Sequence, residues 1–295
     1  MTGNDYKDII LEIRGQIGTI RVRDMELLNR PKSLNSFGGD LMTETISALR
    51  ILNEHPDTII TVLTGEGRFF SAGADMRSIN MNPNVNGNGG IGEQQQEQAQ
   101  SARKKIAYMS LFAAHIEMLR SIIDHRKVFV LALNGPGVGG GAAWFTGVAD
   151  IVLASADCYL QVPFSALGLV PELGSAPIFA QSMGVHRASE FLMFGQRLDA
   201  RELKAAGLVN RIFPVEDFQN QILTYLSSVL EASDGRSLME AKRLINRPLR
   251  EGRLVAVMDS VDALAERFVD GAPKERFELK RKELEEKSKR RSSKL

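Results

Sequence analysis

The sequence predicts an α/β fold, a core of alternating strands and helices followed by a helical C-terminal region. Apolar, β-branched runs alternate with amphipathic segments up to about residue 213. From Val215 onward the pattern is helical and contains little glycine. A chain of 295 residues can bury a substantial core. We therefore predict a core in residues 1–213 with a flexible insertion loop at 80–100, a helical region in 214–292, and a separate tripeptide at 293–295.

The composition is that of an ordinary globular protein without a strongly charged partner. Its 37 basic and 36 acidic residues give a net charge of +1, which predicts no nucleic-acid or anionic-membrane partner. No apolar run reaches the roughly 18 residues that a membrane span needs. The start of the chain, MTGNDYKD, lacks the features of a secretory signal. Cys158 is the single cysteine, so we expect no internal disulfide, a reducing setting and a role in core packing.

The N-terminal elements follow from local patterns. Residues 9–14 and 17–23 alternate apolar and polar side chains around Gly15, which predicts a β-hairpin. Ser36 is the expected N-cap of a helix that buries Met42, Ile46 and Leu49. A β-branched run at 58–65 predicts a buried strand.

A long connection follows this strand. Residues 66–79 form a loop with Gly73 at its centre and a helix start near Asp75. Asn, Gly and Gln dominate residues 80–100 and cannot bury enough apolar area to offset the ordering entropy, so we expect a mobile surface loop there. A helix is predicted over 102–124.

The most informative stretch begins with a buried strand at 128–133 and continues into NGPGVGGGAA. Gly139, Gly140 and Gly141 are predicted to open a helix that contains Trp144 and Phe145. Glycines allow close approach of a ligand, and free N–H groups at a helix start favour negative charge. An irregular turn at 168–175 then carries Glu172. An anion-stabilising turn and one isolated acid suggest proton transfer next to a carbonyl, although Glu172 taken alone also fits an exposed turn residue without chemistry.

The remaining elements complete the α/β pattern. Helices are predicted at 176–183, 187–194 and 200–206, and a strand at 207–213. The last helix, 274–289, is dense in mixed charge, which favours a solvated helix face over phosphate binding.

Four motifs resemble one known family. RPKSLNSF, FFSAGADM, NGPGVGGGAAWFTGVADIVLASADCYLQVPFSALGLVP and GQRLDARELKAAGLVN occur in the order and at the spacings of the crotonase (enoyl-CoA hydratase/isomerase) superfamily, over roughly residues 8–215. The resemblance implies a spiral of ββα units followed by helices that pack trimers. It also implies that an acyl-CoA thioester binds with its oxygen between the backbone N–H groups of Ala74 and Gly140. Two such donors stabilise an enolate oxygen without reorganising.

The resemblance also discriminates between reactions. Hydratases of this superfamily hold water with two glutamates, and the matching positions here are Ala143 and Phe164. The acid at Glu172 instead resembles the catalytic glutamate of peroxisomal Δ3,Δ2-enoyl-CoA isomerases. The implied reaction is a 1,3-proton shift from 3-enoyl-CoA to trans-2-enoyl-CoA in fatty-acid β-oxidation. Hydration, dienoyl-CoA isomerisation and non-catalytic acyl-CoA binding remain the alternatives.

The expected binding residues follow from the same match. Those at which we expect contact with the acyl-CoA are Lys32, Ser33, Ala72, Gly73, Asp75, Met76, Gly139, Trp144 and Phe164. Trp144, Phe145, Phe164 and Phe179 each also fit plain core packing. We expect no metal and no redox cofactor, with coenzyme A entering as part of the substrate. His55, His115, His125 and His186 show no metal spacing, and surface or helix roles are expected for them.

The final tripeptide, Ser293-Lys294-Leu295, is of the type read by the peroxisomal import receptor. It predicts location in the peroxisomal matrix. The family resemblance implies a homotrimer or hexamer.

Overall fold

A mixed six-stranded sheet lies at the centre of the computed structural model, which describes residues 6–23, 35–73 and 93–292. The strands in these ranges are β1 (Ile9–Arg14), β2 (Ile17–Val22), β3 (Ile60–Gly65), β4 (Val128–Leu133), β5 (Gly137–Val138), β6 (Ile151–Ser155), β7 (Tyr159–Gln161), β8 (Arg197–Asp199) and β9 (Arg211–Phe213). The large sheet has the order β1-β2-β3-β4-β6-β9, and β5, β7 and β8 form a second, small sheet.

The large sheet starts with the predicted hairpin. Strands β1 and β2 pair antiparallel around Gly15, whose φ of +57° costs glycine no steric clash. Every other pair in this sheet is parallel. Strands β3 and β4 are almost entirely buried, as expected for parallel strands covered on both faces. Parallel strands share their carboxyl edge, so the loops that follow β3 and β4 leave the sheet side by side.

The small sheet is not predicted from the sequence, because strands of two or three residues show no measurable alternation. Strand β7 pairs in parallel with β5 and antiparallel with β8. The sheet places β7 directly beside the glycine-rich segment that follows β4.

Helices cover both faces of the large sheet and form the C-terminal part of the chain. In chain order they are α1 (Gly39–Glu54), α2 (Glu93–Leu111), α3 (Ala113–Ile123), α4 (Gly140–Thr146), α5 (Ser175–Met183), α6 (Val185–Phe194), α7 (Ala200–Ala205), α8 (Phe218–Glu231), α9 (Gly235–Asn246), α10 (Arg250–Val269) and α11 (Ala272–Ser292). The predicted strand 207–213 is shorter in the structure, because the N–H groups of Leu208 and Val209 bond to the Leu203 carbonyl and close the end of α7.

Helix α1 buries Met42, Ile46 and Leu49 as predicted. The prediction that Ser36 caps it is wrong, since the N-cap is Gly38 and carries no side-chain cap bond. The reason is tertiary. The N–H of Phe37 donates to the Gly73 carbonyl at 2.8 Å, so the chain continues past Ser36 to make this contact before the helix begins.

The prediction of a loop throughout 80–100 is wrong for its last part. Residues 93–100 belong to α2, and residues 80–92 lie outside the described ranges. The single helix predicted at 102–124 is divided at Phe112 into α2 and α3. Lys105 of α2 forms ion pairs with Asp262 and Glu266 of α10, at 2.7 and 2.6 Å, and so attaches α2 to a helix of the C-terminal part. No helix of the described ranges is by itself long and apolar enough for a membrane span. The bent pair Gln96–Leu111 and Ala113–Ile123 reaches the required length and apolar composition only when the two helices are taken together.

Helix α9 is joined to the large sheet by a buried ion pair. Lys242 Nζ lies 2.8 Å from Asp150 Oδ2, with 7% and 13% of the side chains exposed. Asn246 Nδ2 donates to the other carboxylate oxygen at 2.6 Å, and the Phe129 N–H donates to Oδ2 at 2.7 Å. The charges are therefore compensated by hydrogen bonds, as burial requires.

The single cysteine and one of the four histidines lie in the core. Cys158 is 1% exposed, which confirms its packing role, and burial raises the pKa of its thiol to about 12. His125 follows α3 and is 3% exposed, so a surface role for it is wrong. Its Nε2 lies 2.8 Å from the Thr61 hydroxyl, and burial, with nearby cations, lowers its pKa to about 3.

Candidate active site

The glycine-rich turn connects β4 to α4 at the carboxyl edge of the large sheet. Gly139 has a φ of +56°, and its N–H donates to the Gln161 carbonyl of β7 at 2.8 Å. The N–H groups of Ala142 and Ala143 both bond to the Gly139 carbonyl. Gly140 is the first residue of α4, and no backbone acceptor for its N–H lies within the described ranges. Among the described residues, this N–H is thus left without an acceptor, as is usual for the first N–H of a helix.

The loop after β3 lies against this turn. The Val138 N–H donates to the Ser71 carbonyl at 2.9 Å, and Ser71 also forms an isolated bridge with Gly137. A Cβ on Gly73 would lie 2.8 Å from the Val138 oxygen and 3.1 Å from the Gly140 nitrogen. Glycine at 73, with a φ of +98°, thus permits the two loops to touch. Gly73 therefore lies next to the Gly140 N–H.

Glu172 lies in a turn between a short 3₁₀ helix, Ser165–Leu167, and α5. Leu173 has a φ of +49° and Gly174 of +78°, so two successive residues are left-handed. For the buried Leu173 this conformation costs about 1–2 kcal/mol. A hydrogen bond anchors the turn to the C-terminal helices. The Gly174 N–H donates to Ser260 Oγ of α10 at 2.7 Å. Strain maintained by surrounding contacts is typical of a functional position.

Glu172 is 7% exposed, and its carboxyl group accepts one hydrogen bond within the described ranges, from Trp144 Nε1 to Oε2 at 2.8 Å. Burial raises its pKa to about 7, and the Trp144 hydrogen bond opposes part of that increase. No charged side chain of the described ranges contributes to this shift. The acid is thus a single carboxyl in an apolar setting, half ionised near neutral pH.

Aromatic rings surround Trp144. The Phe37 ring lies edge-on with centroids 6.2 Å apart, and the His115 ring lies at 4.9 Å with an 85° interplanar angle. Burial lowers the pKa of His115 to about 4, against a smaller opposing effect of the Leu111 carbonyl. His115 is therefore neutral at pH 7 and forms no ion pair with Glu172.

Several predicted site residues converge in the structure. Gly139, Gly140, Trp144 and Glu172 lie together, and Ala72 and Gly73 lie in the loop that touches the turn. Phe164 is 2% exposed and packs in the main core, together with Phe145 and Phe179. The predicted residues that lie outside the described ranges are Lys32, Ser33, Ala74, Asp75 and Met76.

Two features of the site are not predicted from the sequence. Trp144 is expected there as an apolar wall, whereas in the structure it also donates a hydrogen bond to the acid. The signal that was present is its position four residues after Gly140, which places the two on one helix face. His115 is expected in a helix, and it lies in α3, but its contact with Trp144 depends on how α3 packs. Within the described ranges, no group of three His, Cys, Asp or Glu side chains is placed to hold a metal ion.

Comparisons with known proteins agree on one family. A family model described as Enoyl-CoA hydratase/isomerase matches residues 22–275. A Delta(3,5)-Delta(2,4)-dienoyl-CoA isomerase of Pyricularia oryzae is 32% identical over 279 residues, which cover 90% of this chain and 94% of that protein. An Enoyl-CoA delta isomerase 2 of Rattus norvegicus is 32% identical over 223 residues, or 76% of this chain, and this chain spans 52% of its length. A solved enoyl-CoA hydratase/isomerase from Pseudoalteromonas atlantica T6c shares the fold, with a TM-score of 0.76, 23% identity and coverage of 94% and 98% of the two chains.

Proposed function

The chain belongs to the enoyl-CoA hydratase/isomerase family, and we propose that within it the protein moves the double bond of a 3-enoyl-CoA to the trans-2 position. The observation that carries this proposal is the single buried carboxyl of Glu172, with a pKa raised to about 7 and no charged partner in the described ranges. A general base is most effective when its pKa lies near the working pH. An isomerase needs one such group, because the proton that is removed is also the proton that is returned.

The reaction is balanced without a cofactor. The Glu172 carboxylate removes a proton from C2, and the electrons of that C–H bond form a dienolate whose negative charge lies on the thioester oxygen. The protonated carboxyl then donates to C4, the double bond moves from C3–C4 to C2–C3, and the carbonyl reforms. In this proposal the N–H of Gly140, the first residue of α4, stabilises the oxygen, and Ala74, outside the described ranges, is the second donor.

Two features argue against hydration. A hydratase activates a water molecule with paired acids, and the positions that match those acids hold the small apolar Ala143 and the buried Phe164. The apolar surroundings of Glu172 also limit exchange of its proton with water.

A second candidate is isomerisation of a 3,5-dienoyl-CoA, which the name and the extensive similarity of the Pyricularia relative favour. The resemblance implies an acid near position 164 as well as one in the following turn for that reaction. Phe164 removes the first of these, and the pKa of Glu172 carries no contribution from another acid of the described ranges. The single-acid reaction therefore fits the site better.

The deciding experiment measures conversion of 3-hexenoyl-CoA to trans-2-hexenoyl-CoA by the wild type and by Glu172→Gln. We expect turnover to fall by about 10²–10⁴-fold, the usual contribution of general acid–base catalysis, with little change in ligand affinity. Glu231→Gln, at an exposed position on α8, serves as the matched control and should retain wild-type turnover.

Three results would contradict the proposal in different ways. Turnover of Glu172→Gln within about tenfold of wild type would exclude Glu172 as the base. A wild type that acts on a 3,5-dienoyl-CoA and not on 3-hexenoyl-CoA would favour the second candidate. Normal CoA-ester binding without turnover of any enoyl-CoA would indicate a non-catalytic binding protein.

The proposal extends to assembly and location. Large apolar side chains are exposed on α6, α9 and α10, and a homotrimer or hexamer would cover them (Met193, Phe194, Leu244, Ile245 and Val255). Light scattering coupled to size exclusion tests this assembly.

Import by the peroxisomal receptor through Ser293-Lys294-Leu295 is tested by imaging a fluorescent fusion with and without the tripeptide. A distribution that does not change on its removal would contradict the proposed location.

A further inference from the structure

Trp144 lies across the start of its own helix in a position that glycine at 140 makes possible. A Cβ on Gly140 would lie 2.3 Å from Cε2 and 2.9 Å from Nε1 of the indole. No side chain at position 140 can therefore coexist with this orientation of Trp144. Trp144 is 2% exposed, and its indole is enclosed by the rings of Phe37, His115 and Phe145. Its orientation is fixed by packing on several sides.

The enclosed indole directs its single polar atom at the acid. Nε1 donates to Oε2 of Glu172 at 2.8 Å, and an indole N–H can act as a donor only. Oε1 accepts no hydrogen bond from a residue of the described ranges. In the neutral acid the carbonyl oxygen is the better acceptor, so the N–H favours Oε2 as the carbonyl oxygen and Oε1 as the oxygen that bears the proton.

We propose that Trp144 is a positioning residue for the isomerisation proposed above, on which this inference rests. It holds Oε2 of Glu172, so that Oε1 alone removes the proton from C2 and returns it at C4. The bond prevents rotation of the carboxyl group between the two transfers. The proton therefore stays on the oxygen that faces the substrate instead of turning toward water.

This role differs from that of an apolar wall in a measurable way. Replacing Trp144 by Phe keeps an aromatic ring but removes the N–H. A hydrogen bond to a charged group contributes about 1.5–3 kcal/mol, and a loss of that size lowers kcat by about 10- to 150-fold. KM should change little, because the bond is made to the enzyme's own acid. The bond also lowers the pKa of Glu172, so its loss should move the acid limb of the kcat profile to higher pH.

A buried aromatic ring that faces away from the indole provides the control. Phe191 of α6 is 1% exposed, packs edge-on against Phe179, and cannot donate a hydrogen bond. Phe191→Leu disturbs core packing and should leave the acid limb where it is in the wild type. If the limb moves equally in Phe191→Leu and Trp144→Phe, the effect of Trp144 is one of packing and the positioning role is wrong.

The hydrogen bond itself can be observed without turnover, because Trp144 is the only tryptophan of the chain. We expect the intrinsic fluorescence of the wild type to change with a midpoint near pH 7, as Glu172 ionises beside the indole. The change should be absent in Glu172→Gln. The other titratable group that the described ranges place against the indole is His115, whose pKa of about 4 separates its titration from that of Glu172.

The outcomes separate this inference from the proposed function. If the wild type isomerises 3-hexenoyl-CoA but Trp144→Phe has the same kcat and the same acid limb, the positioning role alone is wrong. If the wild type turns over no 3-enoyl-CoA, the proposed function is wrong, and the positioning role of Trp144 is then wrong as well. Fluorescence that does not change between pH 5 and 9 in the wild type excludes the hydrogen bond in either case.

Discussion

The raised pKa of Glu172 has a consequence for stability that can be measured without substrate. In the unfolded chain the carboxyl has its ordinary pKa of 4.5, and in the folded protein burial raises that pKa to about 7. Below pH 4.5 the group is neutral in both states and costs nothing. Between pH 4.5 and 7 the unfolded chain has released the proton that the folded protein still holds. The free energy of unfolding therefore falls as the pH rises through this window.

The size of the effect follows from the two pKa values. At about 1.4 kcal/mol per pKa unit, ionised Glu172 lowers the free energy of unfolding by about 3 kcal/mol above pH 7. Most of this loss, about 2–3 kcal/mol, develops between pH 5 and 8. Glu172→Gln removes the charge, and any cost of its amide group is the same at each pH. The variant should therefore gain about 2–3 kcal/mol relative to wild type between pH 5 and 8.

The assay is urea unfolding followed by far-ultraviolet circular dichroism at several pH values, which avoids the pH-sensitive signal of Trp144. The exposed Glu231→Gln variant is the control, and its difference from wild type should stay within about 0.5 kcal/mol throughout. A difference for Glu172→Gln that is equally flat would show that burial does not perturb this carboxyl. The reasoning that makes Glu172 a base at neutral pH would then be wrong.

Three further predictions test the packing around the site. Leu173→Gly should be about 0.5–1 kcal/mol more stable in urea than Leu173→Ala, since both lose the side chain and the φ of +49° penalises Ala; a more stable Ala variant would contradict this. Asp150→Ala should cost about 3–5 kcal/mol of unfolding free energy, because it leaves the Lys242 charge buried without a partner. Adding Lys242→Met should recover most of this loss, and a double variant less stable than the single variant would contradict the role of the ion pair. Gly140→Ala should displace the indole of Trp144, lower turnover of 3-hexenoyl-CoA by about 10²-fold and abolish the fluorescence change near pH 7; wild-type behaviour in both would refute the geometry.

Much of the fold can be predicted from the sequence because its determinants are local. The hairpin around Gly15, the strands β3 and β4, and the helices that follow Gly174 have periodicities and glycine positions that carry their own conformational preferences. The same holds for half of the site. Three glycines after a buried strand predict a helix start with a free N–H, and an acid in an irregular apolar turn predicts a proton-transfer group.

What the sequence could not determine depends on contacts between distant residues. The small sheet needs β5 and β7 to meet, and the start of α1 is decided by the bond from Phe37 to Gly73. Helix α2 begins at Glu93, earlier than the composition of this segment predicts. The same helix forms an ion pair with α10, a contact between residues far apart in the sequence.

The division is sharpest at the acid itself. The sequence by itself determined that Glu172 stands alone in an apolar turn and that glycines precede Trp144, since both are properties of short segments. Only the tertiary structure decided that the indole reaches across 28 positions to bond one oxygen of that acid, and that burial raises the pKa of the acid to about 7. Desolvation and a hydrogen bond depend on the groups that surround an atom in space, and the order of residues along the chain does not specify those groups.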